Sequence, residues 1–318
     1  MRIVFLGGTK FVGPVAVRLA TTAGHEVVVA HSGAHEGPAD LPATHIHGER
    51  DALLAPGGTL ERSTPDVIVD TLAGGASYEK GAMAAACAAR SGARLIAISS
   101  ADVYQYTVEA GLGDGTGRVL LPSQPLPIDE ESSLRSEPYP GSHGHDNAAM
   151  ERALREAGIT ATALRPGAIY GPGDLLAREW PLVRRVREGV RKLELPGGGA
   201  QFFHRVAVER VGRAIVAAAE KAPAGFWACN VVDPYDWTYA GLAAEIGRIL
   251  GWQWEPESVS FAAATHPFKL ASPLLLSDRR LREVLGVTQP DPRAALEATV
   301  RWYWEYGPMP GALYADMV

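Results

Sequence analysis

Cysteine is scarce: 318 residues hold two, Cys87 and Cys229. Far apart and set in apolar surroundings, they read as reduced packing residues, which fits a cytoplasmic location. No apolar run is long enough to span a bilayer, so no membrane partner is expected. Met1 leads directly into an apolar strand, with no sign of a signal peptide. Basic charge is not in excess either. Thirty Lys and Arg against 36 Asp and Glu leave a net charge of −6, which weighs against nucleic acid as the main partner. Internal repeats and low-complexity tracts are absent. What is present is an ordinary globular balance, 47% hydrophobic and 21% charged, in a chain long enough to bury a core without disulfides or metals.

Strand and helix patterns alternate from the start. Arg2 to Leu6 reads as a buried strand, Gly7 to Gly13 as a turn, and Pro14 to Ala23 as an apolar helix closed by Gly24. Proline suits a first helical turn, where its missing N–H has no partner to lose. Valine-rich Glu26 to Ala30 completes a βαβ unit of about 30 residues. Further strands are expected at 44–47, 67–71, 95–99 and 160–165, and helices at 78–91 and 145–157. Such alternation predicts a parallel sheet covered on both faces. Between Tyr104 and Gly144 the pattern breaks into a long Gly-, Pro- and Ser-rich stretch, and loops of that length usually carry function. A second region follows Gly173. Helices are expected there at 177–190, 206–221, 239–250, 278–285 and 293–306, with a turn at 197–199 and a strand at 227–232.

The turn Gly7-Gly8-Thr9-Lys10-Phe11-Val12-Gly13 follows a strand and opens a helix. Glycine lets the backbone turn sharply and approach a pyrophosphate, and the helix N-terminus supplies free N–H groups and partial positive charge. In this context the turn points to a dinucleotide.

This turn resembles the phosphate loop of the extended short-chain dehydrogenase/reductases, the NAD-dependent epimerase/dehydratase group. Val67–Thr71, Ile98–Tyr104, Leu164–Gly173, Phe203–Val206 and Asn230–Pro234 match the same family in order and spacing, so the resemblance covers nearly the whole chain. It implies a Rossmann-type doubly wound α/β domain over 1–172, rejoined by 201–232. A smaller C-terminal substrate-binding region is expected from 173–200 and 233–318. Gly7, Thr9, Lys10, Phe11, Val12 and Gly13 are the implied cofactor contacts on the turn, with Ala73 and Pro166 on later strand ends. Lys10 departs from the family, most of whose members carry glycine there. The acid that selects NAD at the end of the second strand is also absent, and His31-Ser32 stands in its place. Lys10, His31 and Ser32 together suit a 2′-phosphate, so NADP(H) is favoured over NAD(H). Glu49 sits where the family often places an adenine contact.

Catalysis in the family uses a Ser or Thr with a Tyr and a Lys four residues apart. Ser100 matches the serine. If Glu151 is the family's helix glutamate, Asn147 occupies the lysine position and His143 the tyrosine position, so the Tyr–Lys pair is missing. Asn147 can still hydrogen-bond ribose hydroxyls. An imidazole at 143 suits acid–base work near neutral pH, with His145, Tyr139 and the substrate itself as competing proton sources. Asp102 lies where family dehydratases place an acidic group. His143, His145 and Asp146 fit no zinc spacing, and no metal is expected. The arginines between 178 and 191, with Lys192, make an anionic small-molecule substrate one candidate, and a homodimer is compatible with the sequence. The expected activity is an NADP(H)-dependent oxidoreductase, foremost a ketoreductase. A nucleotide-sugar epimerase or dehydratase and a non-catalytic dinucleotide-binding protein are the alternatives.

Overall fold

The computed structural model describes residues 1–71, 75–110, 124–138, 142, 144–260, 272–288 and 291–316. The first half runs β1 (Arg2–Leu6), α1 (Val12–Thr22), β2 (Glu26–His31), β3 (Thr44–His47), α2 (Arg50–Leu54), α3 (Thr59–Arg62), β4 (Val67–Asp70), α4 (Tyr78–Ser91), β5 (Arg94–Ile98), α5 (Gln105–Glu109), α6 (Asn147–Glu156) and β6 (Ala161–Pro166). The second half adds β7 (Ala168–Tyr170), α7 (Trp180–Arg187), β8 (Lys192–Pro196), β9 (Arg205–Ala207), α8 (Val208–Lys221), β10 (Phe226–Val231), α9 (Tyr239–Leu250), β11 (Glu255–Val259), α10 (Arg279–Glu283) and α11 (Pro292–Tyr306).

Seven strands form one parallel sheet in the order β10-β6-β5-β4-β1-β2-β3. The strand order reverses between β1 and β4, which makes a Rossmann-type doubly wound fold whose ligand crevice lies beyond the carboxyl ends there. Period-2 alternation in β1 feeds both faces. Ile3 and Phe5 pack with Ala16, Val17, Val211 and Ile215 of α1 and α8, and Val4 and Leu6 with Ala84, Ala85, Met150 and Leu154 of α4 and α6. A third core joins α7, α9 and α11 through Trp180, Val183, Ile246, Val300 and Tyr303. Among the described residues no helix is long and apolar enough to cross a membrane. Both cysteines are free and buried.

Several elements differ from expectation. The stretch expected as loop after Tyr104 begins with α5, and Tyr104 bridges antiparallel to Leu134. The helix expected from Ala177 starts at Trp180, because Ala177 holds φ at 56°, outside the helical range. The helix expected from Val206 starts at Val208, since β9 pairs in parallel with β7. β8 and β11, to which the sequence patterns assign no element, form a second small parallel pair.

Candidate active site

The turn between β1 and α1 is fixed by steric need. The Gly7 amide donates to the Ala30 carbonyl at 2.8 Å. Gly7 and Gly8 adopt φ of 90° and 88°, a region that favours glycine. In the first turn of α1, a Cβ on Gly13 would lie 2.2 Å from the Gly8 carbonyl, so only glycine lets helix and turn meet. No side chain caps the start of α1, which leaves its end open to an anion.

A cavity of about 620 Å³ opens over this turn. Its wall brings together Gly7, Thr9, Lys10, Phe11, Val12, Gly13, His31, Ser32 and Glu49, with Ile98, Ile169 and Leu175 further along. Lys10 and Ser32 are exposed, whereas Thr9 and His31 are buried. Pro166 is the last residue of β6, paired with Val231 of β10, and is not among the residues that line this cavity. Ala73 lies outside the described residues. Arg50, which sequence reading passed over, also lines the cavity and donates to both carboxylate oxygens of buried Asp70, at 3.1 and 2.6 Å. His31 accepts the Gly33 N–H on Nδ1 at 3.2 Å, and burial holds its pKa below the ordinary histidine value against the pull of Glu36.

Beyond β5 the chain makes a short 3₁₀ turn, Ala101–Val103. Ser100 caps it: its hydroxyl accepts the Asp102 N–H at 3.1 Å and keeps its own hydrogen to donate. Asp102 is buried rather than solvated, and its carboxylate is the hub of the region. It accepts from His145 Nε2 at 3.0 Å and from Asn147 Nδ2 at 3.1 and 3.3 Å, with the Arg135 guanidinium 3.6 Å away. Arg135 also donates to Asp146, the N-cap of α6, at 2.8 Å. The Asp102 hydrogen bond lifts the His145 pKa above its ordinary value, with burial opposing. The His145 side chain is 27% exposed, so it is open to proton exchange. Asn147 is buried, and its Oδ1 has no partner among the described residues. His143 and Tyr139 lie outside the described residues.

A buried network that sequence reading missed backs this region. Ser99 donates to Glu151 at 2.6 Å, and Glu151 pairs with Arg165 at 2.6 Å. Arg165 donates to the Tyr104 hydroxyl at 3.0 Å, and Tyr104 donates to Asn230 at 2.6 Å. This chain ties β5, α6, β6 and β10 together, and burial pushes the Tyr104 phenol well above its ordinary pKa. The available signal was an arginine inside an otherwise apolar strand. The basic residues that suggested an anionic substrate are largely engaged. Arg184 pairs with Glu188 at 2.8 Å, Lys192 with Glu257 at 2.7 Å, and Arg191 stacks on Trp252 at 4.8 Å.

The sequence model of the NAD dependent epimerase/dehydratase family matches residues 3–227. A 3-diazoavenalumate denitrifying reductase from Streptomyces sp is 27% identical over 248 residues, covering 71% of this chain and 74% of that protein. The chloroplast stem-loop binding protein of 41 kDa b from Arabidopsis thaliana is 24% identical over 273 residues, 82% of this chain and 66% of its own length. Among solved structures, dTDP-glucose 4,6-dehydratase from Bacillus anthracis in complex with NAD superposes with a TM-score of 0.73 at 18% identity, covering 99% of this chain and all of that one. At that identity the likeness is one of fold. The chain belongs to the NAD-dependent epimerase/dehydratase family and is an enzyme of that group of oxidoreductases, epimerases and dehydratases.

Proposed function

We propose that this enzyme is an NADP(H)-dependent reductase of a small molecule, foremost a ketoreductase, in which Asp102 holds His145 as the proton donor. The observation that carries the reading is the 3.0 Å hydrogen bond from His145 to Asp102, at the carboxyl end of β5 and on the segment where the family's Tyr–Lys pair is missing. A nicotinamide dinucleotide suits the residues present: the Gly8–Gly13 approach leaves no room for a side chain, and Asn147 Oδ1 is a buried acceptor without a partner among the described residues. The bound nicotinamide supplies hydride. The turn amides and Thr9 hold the pyrophosphate, and Asn147 Oδ1 accepts from a ribose hydroxyl. Lys10 and Ser32 meet a 2′-phosphate where no acid at the carboxyl end of β2 repels it. The Ser100 hydroxyl donates to the substrate oxygen. His145, whose cationic form the hydrogen bond to Asp102 favours, gives its proton to that oxygen as negative charge develops there. The Bacillus anthracis relative's NAD complex supports the cofactor class, and the Streptomyces relative's name supports reduction.

The test is NADPH consumption over a panel of ketones. His145→Ala lowers turnover by about 10²–10⁴-fold and leaves NADPH affinity nearly unchanged. Full activity in that variant removes His145 and shifts the role to His143, Tyr139 or the substrate.

A second reading has its own observation, the similarity to a denitrifying reductase of a diazo compound. A diazonium substrate that gains hydride, breaks its C–N bond and releases N₂ leaves no alkoxide to protonate, so the missing Tyr–Lys pair is no handicap. A His145→Ala variant that loses ketone reduction yet reduces an aryl diazonium at full rate selects this reading.

A further inference from the structure

Four of the nine histidines fall between residues 31 and 47, and the sheet register gathers three of them. β2 and β3 are parallel neighbours in which His31 is the partner of His47. His45 lies two residues earlier on β3, so the pleat turns it to the same face as His47. The rings of His45 and His47 stand edge-on to His31, with centroids 5.1 and 4.7 Å away. The turn after β2 has left-handed glycines at 33 and 37 and brings Glu36 back over this face. Its carboxylate lies 3.7 Å from His31 Nε2, 3.7 Å from His45 Nδ1 and 3.2 Å from His47 Nε2, and His31 Nε2 and His45 Nδ1 are 2.8 Å apart. All four potential ligand atoms lie within 4.8 Å of one another.

We propose that His31, His45, His47 and Glu36 form a binding site for a zinc-class divalent cation. Four ligands held about 2.0–2.1 Å from such an ion in a tetrahedron stand about 3.3 Å apart, and the observed spacings bracket that value. Three imidazoles with one carboxylate match Zn²⁺, Co²⁺ or Ni²⁺ rather than Mg²⁺ or Ca²⁺, which prefer oxygen. Metal at His31 Nε2 moves the ring proton to Nδ1, so the Gly33 amide contact opens. The turn that must adjust is largely exposed at residues 32–36. His31 is the only one of the four that lines the dinucleotide cavity, so the ion sits behind its wall and away from substrate. The role is structural. The ion fastens edge strand β3, four residues long, and the 32–37 turn to β2.

The test uses the full chain without a polyhistidine tag, stripped with chelator. Calorimetry with Zn²⁺ should give one site per chain, and Co²⁺ should show the strong visible absorption of a four-coordinate centre. Zn²⁺ should also raise the melting temperature. His45→Ala and His47→Ala should each weaken Zn²⁺ by more than about 100-fold, since loss of even an outer partner costs 10–100-fold. His47 is a side chain 56% exposed, so its variant folds, which circular dichroism of the metal-free protein verifies. No stoichiometric Zn²⁺ binding by the parent chain, a weak six-coordinate Co²⁺ spectrum, or undiminished affinity in the His47→Ala variant overturns the site.

Discussion

Gly13→Ala is the sharpest probe of the phosphate turn, because it adds one methyl where the structure leaves no space. The added carbon would stand 2.2 Å from the Gly8 carbonyl carbon and oxygen and 2.3 Å from its Cα. Carbon contacts are comfortable near ~3.5–4.0 Å, so Gly8 must retreat by more than about 1 Å. It is not free to do so. The preceding Gly7 amide is tied to Ala30 at 2.8 Å, and Gly8 itself packs against Phe5. Overpacking typically costs ~1–3 kcal/mol, and an obstruction made of backbone belongs at the upper end. At 2–4 °C per kcal/mol, a loss of ~3 kcal/mol lowers the melting temperature by roughly 6–12 °C. Alanine favours a helix interior over glycine by about 1 kcal/mol, so intrinsic propensity works against the predicted loss and any drop understates the clash. Calorimetry should show NADPH affinity reduced at least tenfold, because the turn amides retreat with Gly8. A variant with unchanged melting temperature and unchanged NADPH affinity refutes both the close approach and the phosphate role of the turn.

Lys10→Ala should shrink the preference for NADPH over NADH while leaving NADH affinity nearly constant, and titration of both nucleotides reads this directly. Glu151→Ala strands the Arg165 guanidinium, whose side chain is 1% exposed, and should cost ~3–5 kcal/mol in denaturant unfolding. For His145 the folded protein favours the cation, so its stabilisation is full below the unfolded pKa and is lost as pH rises through the raised folded value. Ketone turnover should fall over that same rise. Asp102→Asn should move the falling limb to lower pH, with Arg135 still held by Asp146, and an unmoved limb removes the dyad.

Much of the sheet is legible in sequence because its strands are buried on both faces and so read as continuous apolar runs, as in Ile3-Val-Phe-Leu6 and Val67-Ile-Val69. β8 and β11 escape for the opposite reason. Lys192–Pro196 and Glu255–Val259 are short and partly charged, and each exists only by pairing with a partner some sixty residues away. The site divides in the same way. The family resemblance singled out Ser100, Asp102 and Asn147. It did not reveal that Asp102 binds both His145 and Asn147, a contact between segments more than forty residues apart. Nor did it reveal the Glu151–Arg165 pair, where a charge in a buried strand has meaning only once its partner on α6 is known.

His31 shows how far such a contact can change a residue's meaning. Read along the chain, it is the residue that replaces an acid at the end of β2, and its significance lies in which cofactor it admits. Read across the sheet, it is the partner of His47, with spacings of 14 and 16 residues to the other imidazoles that match no metal motif until β2 and β3 pair. His31 lines the cavity over the glycine turn, and its Nε2 lies 2.8 Å from His45 Nδ1. Substituting His31 therefore disturbs two sites together and discriminates nothing. Lys10 lines the cavity and lies outside the imidazole cluster, whereas His47 belongs to the cluster and is not among the residues that line the cavity. Lys10→Ala should alter nucleotide preference and leave Zn²⁺ affinity intact, and His47→Ala should do the reverse. If either variant moves both quantities, the two sites are energetically linked, and by reciprocity the metal changes nucleotide affinity by the same factor as the nucleotide changes the metal's.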